Sequence, residues 1–511
     1  MSSTPVIIGV GDIKNTSTST SLDHAYEPLD LMLQAIASAI EDSSASKETL
    51  QAAIDSIDVV ANWTWPYPNV TDLLAGRLGV TPVHAFESHH GGNAPAQLLD
   101  NAARRVAAGE CRVAVVTGGE ALATLAALTA AKNFPPKHWT KVDDTSTIWE
   151  RARRDDLGTK HSLALPIQVY PLYEAGFRAL RKQSYQENHE ESAQLYANFA
   201  AVSAQNPLSW NYGKPADTAE SIATVTKRNR MICSPYPLLM NAFNTVNLAA
   251  ACIVTSVEYA RQLGVPESRW IYPLGGAGTS DTSNYWERSN FYTSPSIANS
   301  LDGALKASGL AKNDIDLYDF YSCFPIVPKL ACYHLNLPIT DKARPLTVLG
   351  GLTSFGGAGN NYSLHAVTQI VRDLRAGKGR NGLVLANGGV LSYHYTVCLS
   401  ASPRTDGGEY PTRNPLPEYS PDIVSPPIAA KADGRAVIET YTVQFQRDGS
   451  PAMGFVLGRL QSGHRFIANV EDAVSLKELC STTVEAIGRV GWVKYEGEEE
   501  RNVFSFGNAQ L

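Results

Sequence analysis

Residues 91–121 read GGNAPAQLLDNAARRVAAGECRVAVVTGGEA, and residues 355–390 read FGGAGNNYSLHAVTQIVRDLRAGKGRNGLVLANGGV. Each stretch contains a glycine-rich turn, an amphipathic run that ends in Ala-Gly, a short apolar run and a closing Gly-Gly pair. The two copies start about 265 residues apart, a period far too long for a solenoid. The pattern therefore predicts a duplicated half-domain whose two copies pack against each other.

The glycine turns are also candidate binding elements. A Gly-Asn turn that leads directly into a helix leaves backbone N–H groups unpaired at the positive end of the helix dipole. Two such turns that meet at a pseudo-twofold axis would form a pocket for an oxyanion or a thioester carbonyl. We therefore predict that Gly92 and Asn93 in the first turn, and Gly357 and Asn360 in the second, bind substrate.

Composition limits the class of protein. The chain has 511 residues, which favours two or three domains, and its hydrophobic content of 44% is typical of a globular protein. The net charge of −7 argues against nucleic acid as a partner. The seven cysteines include no Cys-x-x-Cys pair, so we expect reduced thiols and no metal site.

Targeting signals are weak in this sequence. No apolar stretch reaches the roughly eighteen residues that a membrane span needs, and residues 1–12 are too short and polar for a signal peptide. We therefore expect a cytoplasmic protein. The final tripeptide, Ala509-Gln510-Leu511, resembles the Ser-Lys-Leu peroxisomal signal without its basic middle residue, so peroxisomal import is the alternative.

The order of strand and helix signals divides the chain into domains. Alternating signals over residues 1–285 predict a first half-domain, interrupted at about 124–230 by an insertion rich in Trp, Tyr, Lys, Arg and Pro that is typical of a lid. Residues 286–410 predict the second half-domain. After a Pro-rich linker at 411–427, short alternating runs over 428–511 predict a small β-rich domain.

Individual elements follow from the spacing of apolar residues. We predict strands at 6–10, 57–61, 113–117 and 270–274, and helices at 28–41, 72–78, 94–108, 249–263 and 297–308. Strands and helices that alternate in this way are typical of a layered α/β fold with helices on both faces of a sheet.

Four strings around the predicted turns resemble the thiolase superfamily: HHGGNAPAQ, YSCFP, SFGGAGNNY and ANGGV. The resemblance implies two layered half-domains with a lid, a coenzyme A thioester as co-substrate without a permanently bound cofactor, and a homodimer. In ordinary thiolases these strings carry two catalytic cysteines, a histidine and an Asn-Glu pair. The corresponding residues here are Gly92, Ala386, Gly356 and Tyr321-Ser322. We do not expect conventional thiolase activity, because Claisen condensation needs a covalent acyl carrier and a second base.

The sequence is more similar to the thiolase-like proteins that lack these cysteines and carry an extra C-terminal domain. The similar strings are GGNAPAQLL, AQNPLSW, SPYPLLMNAFNTVNLAAA, DFYSCFP and FGGAGNNYSLHA. The resemblance implies an acetyl-CoA acetyltransferase-like protein. It also implies that Trp210, in AQNPLSW, lies near the pantetheine tunnel, so we expect Trp210 to contact coenzyme A.

Two histidines are candidates for acid/base catalysis. His90 lies beside the first glycine turn, and His394 follows the second Gly-Gly pair. His365, inside the second repeat helix, is a weaker candidate. The alternative for His90 is a solvent-exposed or turn-capping role.

Cys323 and Tyr393 complete the predicted catalytic set. Cys323 is the thiol of YSCFP, where a helix N-terminus would activate it as a displaced nucleophile, although buried cysteines are more often inert. Tyr393, like Tyr321 and Tyr362, offers a phenol, and this pattern resembles thiolase-like retro-aldolases that rely on tyrosine. The alternative for each tyrosine is a packed ring with a satisfied hydroxyl.

The predicted lid also carries cations among aromatic residues: Lys132, Lys137, Lys141, Arg151, Arg153 and Arg154, with Trp139 and Trp149. In thiolases the lid holds the adenosine and phosphates of coenzyme A, and cations beside a stacking ring suit that ligand. A solvated loop neutralised by neighbouring aspartates is the alternative.

The sequence leaves three functions open. We favour an acyl-CoA-dependent acyltransferase in which the paired glycine turns polarise the thioester carbonyl. The alternatives are an aldolase-type carbon–carbon lyase that acts on a coenzyme A thioester, and a non-catalytic protein that binds acyl-CoA or an acyl carrier.

Overall fold

A computed structural model describes residues 3–17, 25–148, 155–420 and 424–507. The strands are β1 (Pro5–Lys14), β2 (Ser56–Val59), β3 (His84–Glu87), β4 (Val113–Ala121), β5 (Met231–Cys233), β6 (Tyr236–Pro237), β7 (Asn247–Ser256), β8 (Tyr272–Ser280), β9 (Leu317–Phe320), β10 (Asn381–Gly388), β11 (Tyr393–Ser400), β12 (Gly434–Phe445), β13 (Pro451–Leu460), β14 (Arg465–Val470), β15 (Val490–Glu496) and β16 (Arg501–Ser505). The helices are α1 (Pro28–Asp42), α2 (Lys47–Ala52), α3 (Val70–Leu78), α4 (Ala94–Ala108), α5 (Leu122–Ala130), α6 (Leu157–Lys160), α7 (Pro166–Leu180), α8 (Tyr185–Gln205), α9 (Ala219–Ala223), α10 (Val257–Gln262), α11 (Pro295–Ser308), α12 (Ile326–Leu335), α13 (Tyr362–Arg375) and α14 (Ala473–Leu479).

Two sheets share one pairing pattern. The first has the strand order β1-β7-β4-β2-β3 and the second has the order β8-β11-β10-β9. In each sheet the first two neighbouring pairs are antiparallel and the next is parallel. The second sheet therefore repeats the first without its last strand, and it takes its first strand, β8, from residues before 286.

The predicted layered fold is confirmed. Helices α4 and α13, which follow the two glycine turns, pack against each other and against both sheets. Helix α1 covers the outer face of the first sheet, and α11 and α12 lie outside the second. Because α4 and α13 form the middle layer, the two glycine turns lie between the sheets.

One element prediction is wrong. Residues 249–263 do not form a helix, because Asn247–Ser256 is the strand β7, paired on both sides, and only the short helix α10 follows it. A strand that is buried on both faces carries a continuous apolar run, and hydrophobic spacing does not distinguish such a run from a buried helix.

The predicted β-rich C-terminal domain forms a small closed barrel. Its strands pair in the order β12-β13-β14-β16-β15, and β15 pairs again with β12. The hairpin β5–β6, at the end of the helical insertion, adds to β12 through Cys233 and Gln444. The insertion and the barrel therefore share one sheet.

The Pro-rich linker covers the open edge of the second sheet. Asn414 Nδ2 donates to the Gly278 carbonyl oxygen at 2.7 Å, and the Ser280 amide donates to the Glu418 carbonyl oxygen at 2.8 Å. Ser420 N–H then donates to Ser280. This pairing covers the end of β8 at Gly278 and Ser280, which protects that part of the edge from pairing with another chain.

Candidate active site

The first glycine turn packs directly against the end of β10. A Cβ atom on Gly388 would lie 2.8 Å from Asn93 Oδ1 and 2.9 Å from the Gly92 nitrogen, so only glycine allows this approach. Asn361, at the start of α13, reaches into the first half-domain, where its Nδ2 donates to the Gly118 carbonyl oxygen at 2.8 Å. The two repeats therefore converge, as the duplicated pattern predicts.

A tyrosine occupies the space beside Gly92. A Cβ atom on Gly92 would lie 2.7 Å from Tyr321 Oη and 2.4 Å from the Asn387 carbonyl oxygen. The phenol thus lies where the side chain of residue 92 would begin. Burial raises the pKa of Tyr321 well above its ordinary value, so the group is a neutral proton donor at physiological pH.

His90 lies at the edge of this turn, in contact with Asn360 of the second turn. Asn360 Nδ2 donates to the Ala61 carbonyl oxygen at 2.7 Å and lies 3.2 Å from His90 Nδ1. The Ala61 contact fixes the amide orientation, so the Asn360 amide nitrogen faces the imidazole. The exposed imidazole also stacks on Trp63, with ring centroids 5.3 Å apart.

In the second glycine turn, the backbone amides of Gly357 and Gly359 already have hydrogen-bond acceptors. Gly357 N–H donates to the Phe243 carbonyl oxygen at 2.7 Å, and Gly359 N–H donates to Gly357 at 2.8 Å. Trp210 binds the same turn, since its backbone N–H donates to the Phe355 carbonyl oxygen at 2.8 Å. The second turn therefore reaches the first through the side chain of Asn360. By contrast, no described residue accepts a hydrogen bond from the Gly92 amide.

Cys323 lies near the site but is not an activated thiol. Its neighbours are Tyr170 and Asn387, whose Nδ2 lies 3.6 Å from the sulfur. Burial raises the pKa of the Cys323 thiol to about 12. At neutral pH almost all of the group is therefore protonated, and a thiol reacts as a nucleophile only after it loses its proton.

The structure separates Tyr393 from His394. Adjacent residues of a strand point to opposite faces, and the Tyr393 ring lies near the first turn, 3.8 Å from the position of a Cβ on Gly91. His394 instead faces α11, where its Nδ1 lies 2.7 Å from Ser296 Oγ. Burial lowers the pKa of His394 to about 3, so the ring is neutral.

The remaining predicted side chains lie elsewhere. His365 is buried, with its Nδ1 2.6 Å from Asp12 Oδ1. In the lid, Trp139 is buried edge-to-face against Trp65, so this ring offers no stacking surface to a ligand. Trp149, Arg151, Arg153 and Arg154 lie outside the described residues, as do the last residues of the chain, 508–511.

The described residues around the first turn combine a neutral phenol with a backbone amide, and the thiol nearest to them is protonated. The Tyr321 phenol lies beside Gly92 and is a candidate proton donor, and the Gly92 amide is a candidate donor to a developing oxyanion. Sequence reasoning grouped Tyr321 with the other tyrosines and did not select it, because its contact with Gly92 joins residues far apart in the chain. The sequence contains one indication of the role of Tyr321. Residue 92 has no side chain, and the string YSCFP supplies a phenol.

Two properties of the described residues bear on ligands. They contain no cluster of three His, Cys, Asp or Glu side chains that would hold a metal ion. Within the same residues, every helix is too short or too polar to cross a lipid bilayer.

The chain is similar to known proteins in sequence and in structure. The family model for the additional C-terminal domain of thiolase-like proteins type 1 matches residues 415–498. The crystal structure of a monomeric SCP2-thiolase-like protein type 1 from Mycobacterium smegmatis is 30% identical, with 99% of both chains covered and a TM-score of 0.81. A comparison with curated protein sequences gave no match.

More distant structures share the fold. The Ltp2–ChsH2(DUF35) aldolase is 20% identical, with a TM-score of 0.58 over 78% of this chain and 97% of that chain. An acetyl-CoA acetyltransferase from Syntrophomonas wolfei is 13% identical, with a TM-score of 0.55 over 79% of this chain and 100% of that chain. At these identities the likeness concerns the fold alone.

Proposed function

Because the chain belongs to the SCP2-thiolase-like proteins type 1, we propose that it is an aldolase-type lyase that cleaves the Cα–Cβ bond of a β-hydroxyacyl thioester of coenzyme A. The observation that supports this proposal best is the position of Tyr321 Oη, 2.7 Å from where a Cβ on Gly92 would lie. A phenol stands beside the position of the thiolase nucleophile, so the site suits proton transfer better than covalent acyl transfer.

The proposed reaction uses two tyrosines that flank the first glycine turn. The β-hydroxyl proton passes through Tyr393 Oη to solvent, because the phenol accepts this proton as it releases its own to water, and the Cα–Cβ bonding electrons move into the thioester to form an enolate. The enolate oxygen accepts a hydrogen bond from the Gly92 amide. Cleavage of the bond releases the β-carbon as an aldehyde or ketone. Tyr321 then protonates Cα of the enolate to give the shortened acyl-CoA and regains its own proton from solvent.

Acyl transfer, the function favoured by the sequence alone, has less support. It needs a nucleophile, but residue 92 has no side chain and the pKa of the Cys323 thiol is raised to about 12. The aldolase among the structural neighbours has a compatible activity, although at 20% identity it adds no argument beyond the fold.

The test is cleavage of a panel of β-hydroxyacyl-CoA esters, followed by mass spectrometry of the acyl-CoA products. We expect wild-type protein to release a carbonyl compound and a shortened acyl-CoA. Tyr321→Phe should lower the rate at least about a hundredfold, the usual contribution of a general acid, while ligand binding is retained.

Tyr318→Phe is the matched control, because Tyr318 is a buried tyrosine of β9 whose hydroxyl donates to the Lys312 carbonyl oxygen, away from the turn. This variant should cleave at the wild-type rate. Binding of the esters without cleavage would contradict the proposed lyase and support a binding protein. An acyl adduct lost in Cys323→Ala would support acyl transfer.

We also propose that the protein acts as a monomer, in place of the homodimer expected from the superfamily resemblance. The relative from Mycobacterium smegmatis is described as monomeric. The edge strand β3 has only four residues, which leaves little backbone for pairing with a second copy. Sedimentation should give a mass near 55.1 kDa, the mass of one chain. A mass twice as large would contradict the monomer and support a homodimer.

A further inference from the structure

A buried arginine of the C-terminal barrel binds a segment of the second half-domain. Arg465, on β14, is completely buried. Its Nη1 donates to the carbonyl oxygens of Trp286, at 2.9 Å, and Arg288, and its Nη2 donates to that of Ser289 at 3.1 Å. Nη2 and Nε also bind Glu439 at 2.6 and 2.7 Å. Every N–H of the guanidinium is used, so the barrel fixes this segment firmly.

The segment that Arg465 holds carries a second buried arginine, Arg288. Its Nη1 donates to the Val390 carbonyl oxygen and to Tyr173 Oη, both at 2.9 Å. Its Nη2 donates to Ser392 Oγ at 2.8 Å, and Nη2 and Nε donate to the Thr282 carbonyl oxygen. The N–H groups of the Arg288 guanidinium therefore all have acceptors. These acceptors include residues of the turn between β10 and β11.

That turn needs support from outside. Leu391 has a φ of 60°, in the left-handed region that large side chains rarely adopt. Tyr170 binds the turn from the lid, since its Oη accepts from the Leu391 amide at 3.0 Å and donates to the Gly389 carbonyl oxygen at 3.3 Å. Tyr393 follows immediately, so the shape of the turn decides where its ring lies.

The barrel also fixes the lid helix that contributes to this support. Helix α7 carries both Tyr170 and Tyr173. On the barrel side, Thr440 Oγ1 donates to the Leu172 carbonyl oxygen at 2.6 Å, and Gln168 Nε2 donates to Gln444 Oε1 at 2.9 Å. Both contacts to the turn, through Arg288 and through α7, therefore depend on the barrel.

We propose that the C-terminal barrel is an internal brace, and that Arg465 and Arg288 are positioning residues that set the turn Gly389–Ser392 and thereby the place of Tyr393. The catalytic meaning of this placement rests on the proposed lyase function. The brace itself does not, because it is defined by contacts within the chain.

Hydrogen–deuterium exchange of the full chain, measured by mass spectrometry, tests the brace without any substrate. Arg288→Lys keeps the charge but loses the planar fork, so amides of residues 388–393 should exchange at least about tenfold faster. Arg465→Met should accelerate exchange in residues 286–289 and 388–393, although residue 465 touches only the first of these segments.

Arg489→Met is the matched control, because Arg489 is a barrel arginine whose partner, Glu478, also lies in the barrel. It should leave residues 388–393 unchanged. Unchanged exchange of these residues in Arg288→Lys would overturn the proposal, as would equal acceleration by Arg489→Met. If Arg465→Met fails to fold, Arg288→Lys decides the question, since it leaves the bonds within the barrel intact. A brace confirmed without any lyase activity would refute only the proposed function.

Discussion

Gly92 has no room for a side chain, because two neighbours from the second half-domain occupy its surroundings. The Asn387 carbonyl oxygen and Tyr321 Oη would lie 2.4 and 2.7 Å from a Cβ atom. Backbone atoms within a sheet move little, so the contact with Asn387 is not easily relieved. A cysteine at this position would not restore thiolase chemistry.

We therefore expect Gly92→Ala to lower the free energy of unfolding by about 1–3 kcal/mol through overpacking. Urea denaturation measures the change. Gly76→Ala is the control, because Gly76 lies in α3 with open space around its Cβ position, and alanine should stabilise that helix by roughly 0.5–1 kcal/mol. Equal stability of Gly92→Ala and wild type would contradict the close contact.

The protonation of Cys323 gives a pH-dependent prediction. Its pKa is raised from 9.0 to about 12, so at pH 8 the thiolate fraction is about a thousandfold below that of an ordinary thiol. Alkylation of Cys323 by iodoacetamide should be correspondingly slow and should accelerate about tenfold per pH unit up to pH 10. Peptide mass spectrometry with glutathione as reference measures this rate. Labelling at pH 7 as fast as glutathione would show an activated thiol.

At this scale the sequence predicted residue types better than contacts. It identified Gly92 and Asn360 at the converging turns. It also grouped Tyr393 with His394, although alternation along β11 sends their side chains to opposite faces. Tyr321 was not selected, since only the folded chain brings YSCFP to the first turn.

At the scale of elements, the lid helix α6 is joined to the barrel strand β16 by one buried histidine. His161 Nδ1–H donates to the Leu157 carbonyl oxygen at 2.8 Å, and Nε2 accepts from the Asn502 amide at 2.9 Å. Only the neutral ring makes both bonds. Burial lowers the pKa of His161 from its ordinary 6.5, and Arg501 adds to this effect.

Protonation of His161 should therefore weaken the folded state in acid. The unfolded histidine takes up its proton first, so its stabilising contribution is complete above pH 6.5 and is lost as the pH falls below that value, by up to about 1.4 kcal/mol per pH unit. Urea denaturation between pH 7.5 and 5 should show a shallower pH dependence for His161→Gln than for wild type. His464→Gln, at an exposed barrel position, should behave like wild type. Identical slopes for all three would contradict this role.

The elements also show where hydrophobic spacing fails. Helix α4 forms with its predicted bounds because its glycine turn and Gly109 mark both ends. Strand β7 was mistaken for a helix because burial on both faces removes the alternation that identifies a strand. The short hairpin β5–β6 was not predicted, since strands of three and two residues leave no periodic signal.

At the scale of the whole molecule, the duplication of the half-domain can be recognised in the sequence, because both copies keep the same turn, helix and strand. The pairing between β5 and β12 cannot be recognised in the sequence, because β5 precedes the second half-domain along the chain and β12 follows it. Closure of the barrel onto the lid makes the C-terminal domain part of the site's support, which no local pattern reveals.

The central claim is that Tyr321 transfers a proton at Cα of a coenzyme A thioester without an acyl-enzyme intermediate. Mass spectrometry of the acyl-CoA product that forms from a β-hydroxyacyl-CoA in deuterated buffer tests it most directly, because the hydrogen that Tyr321 gives to Cα comes from solvent. The account predicts that wild-type protein forms a product with one deuterium at Cα, and that Tyr321→Phe binds the ester but forms product at least about a hundredfold more slowly. Product formation by Tyr321→Phe as fast as by wild type would contradict the claim.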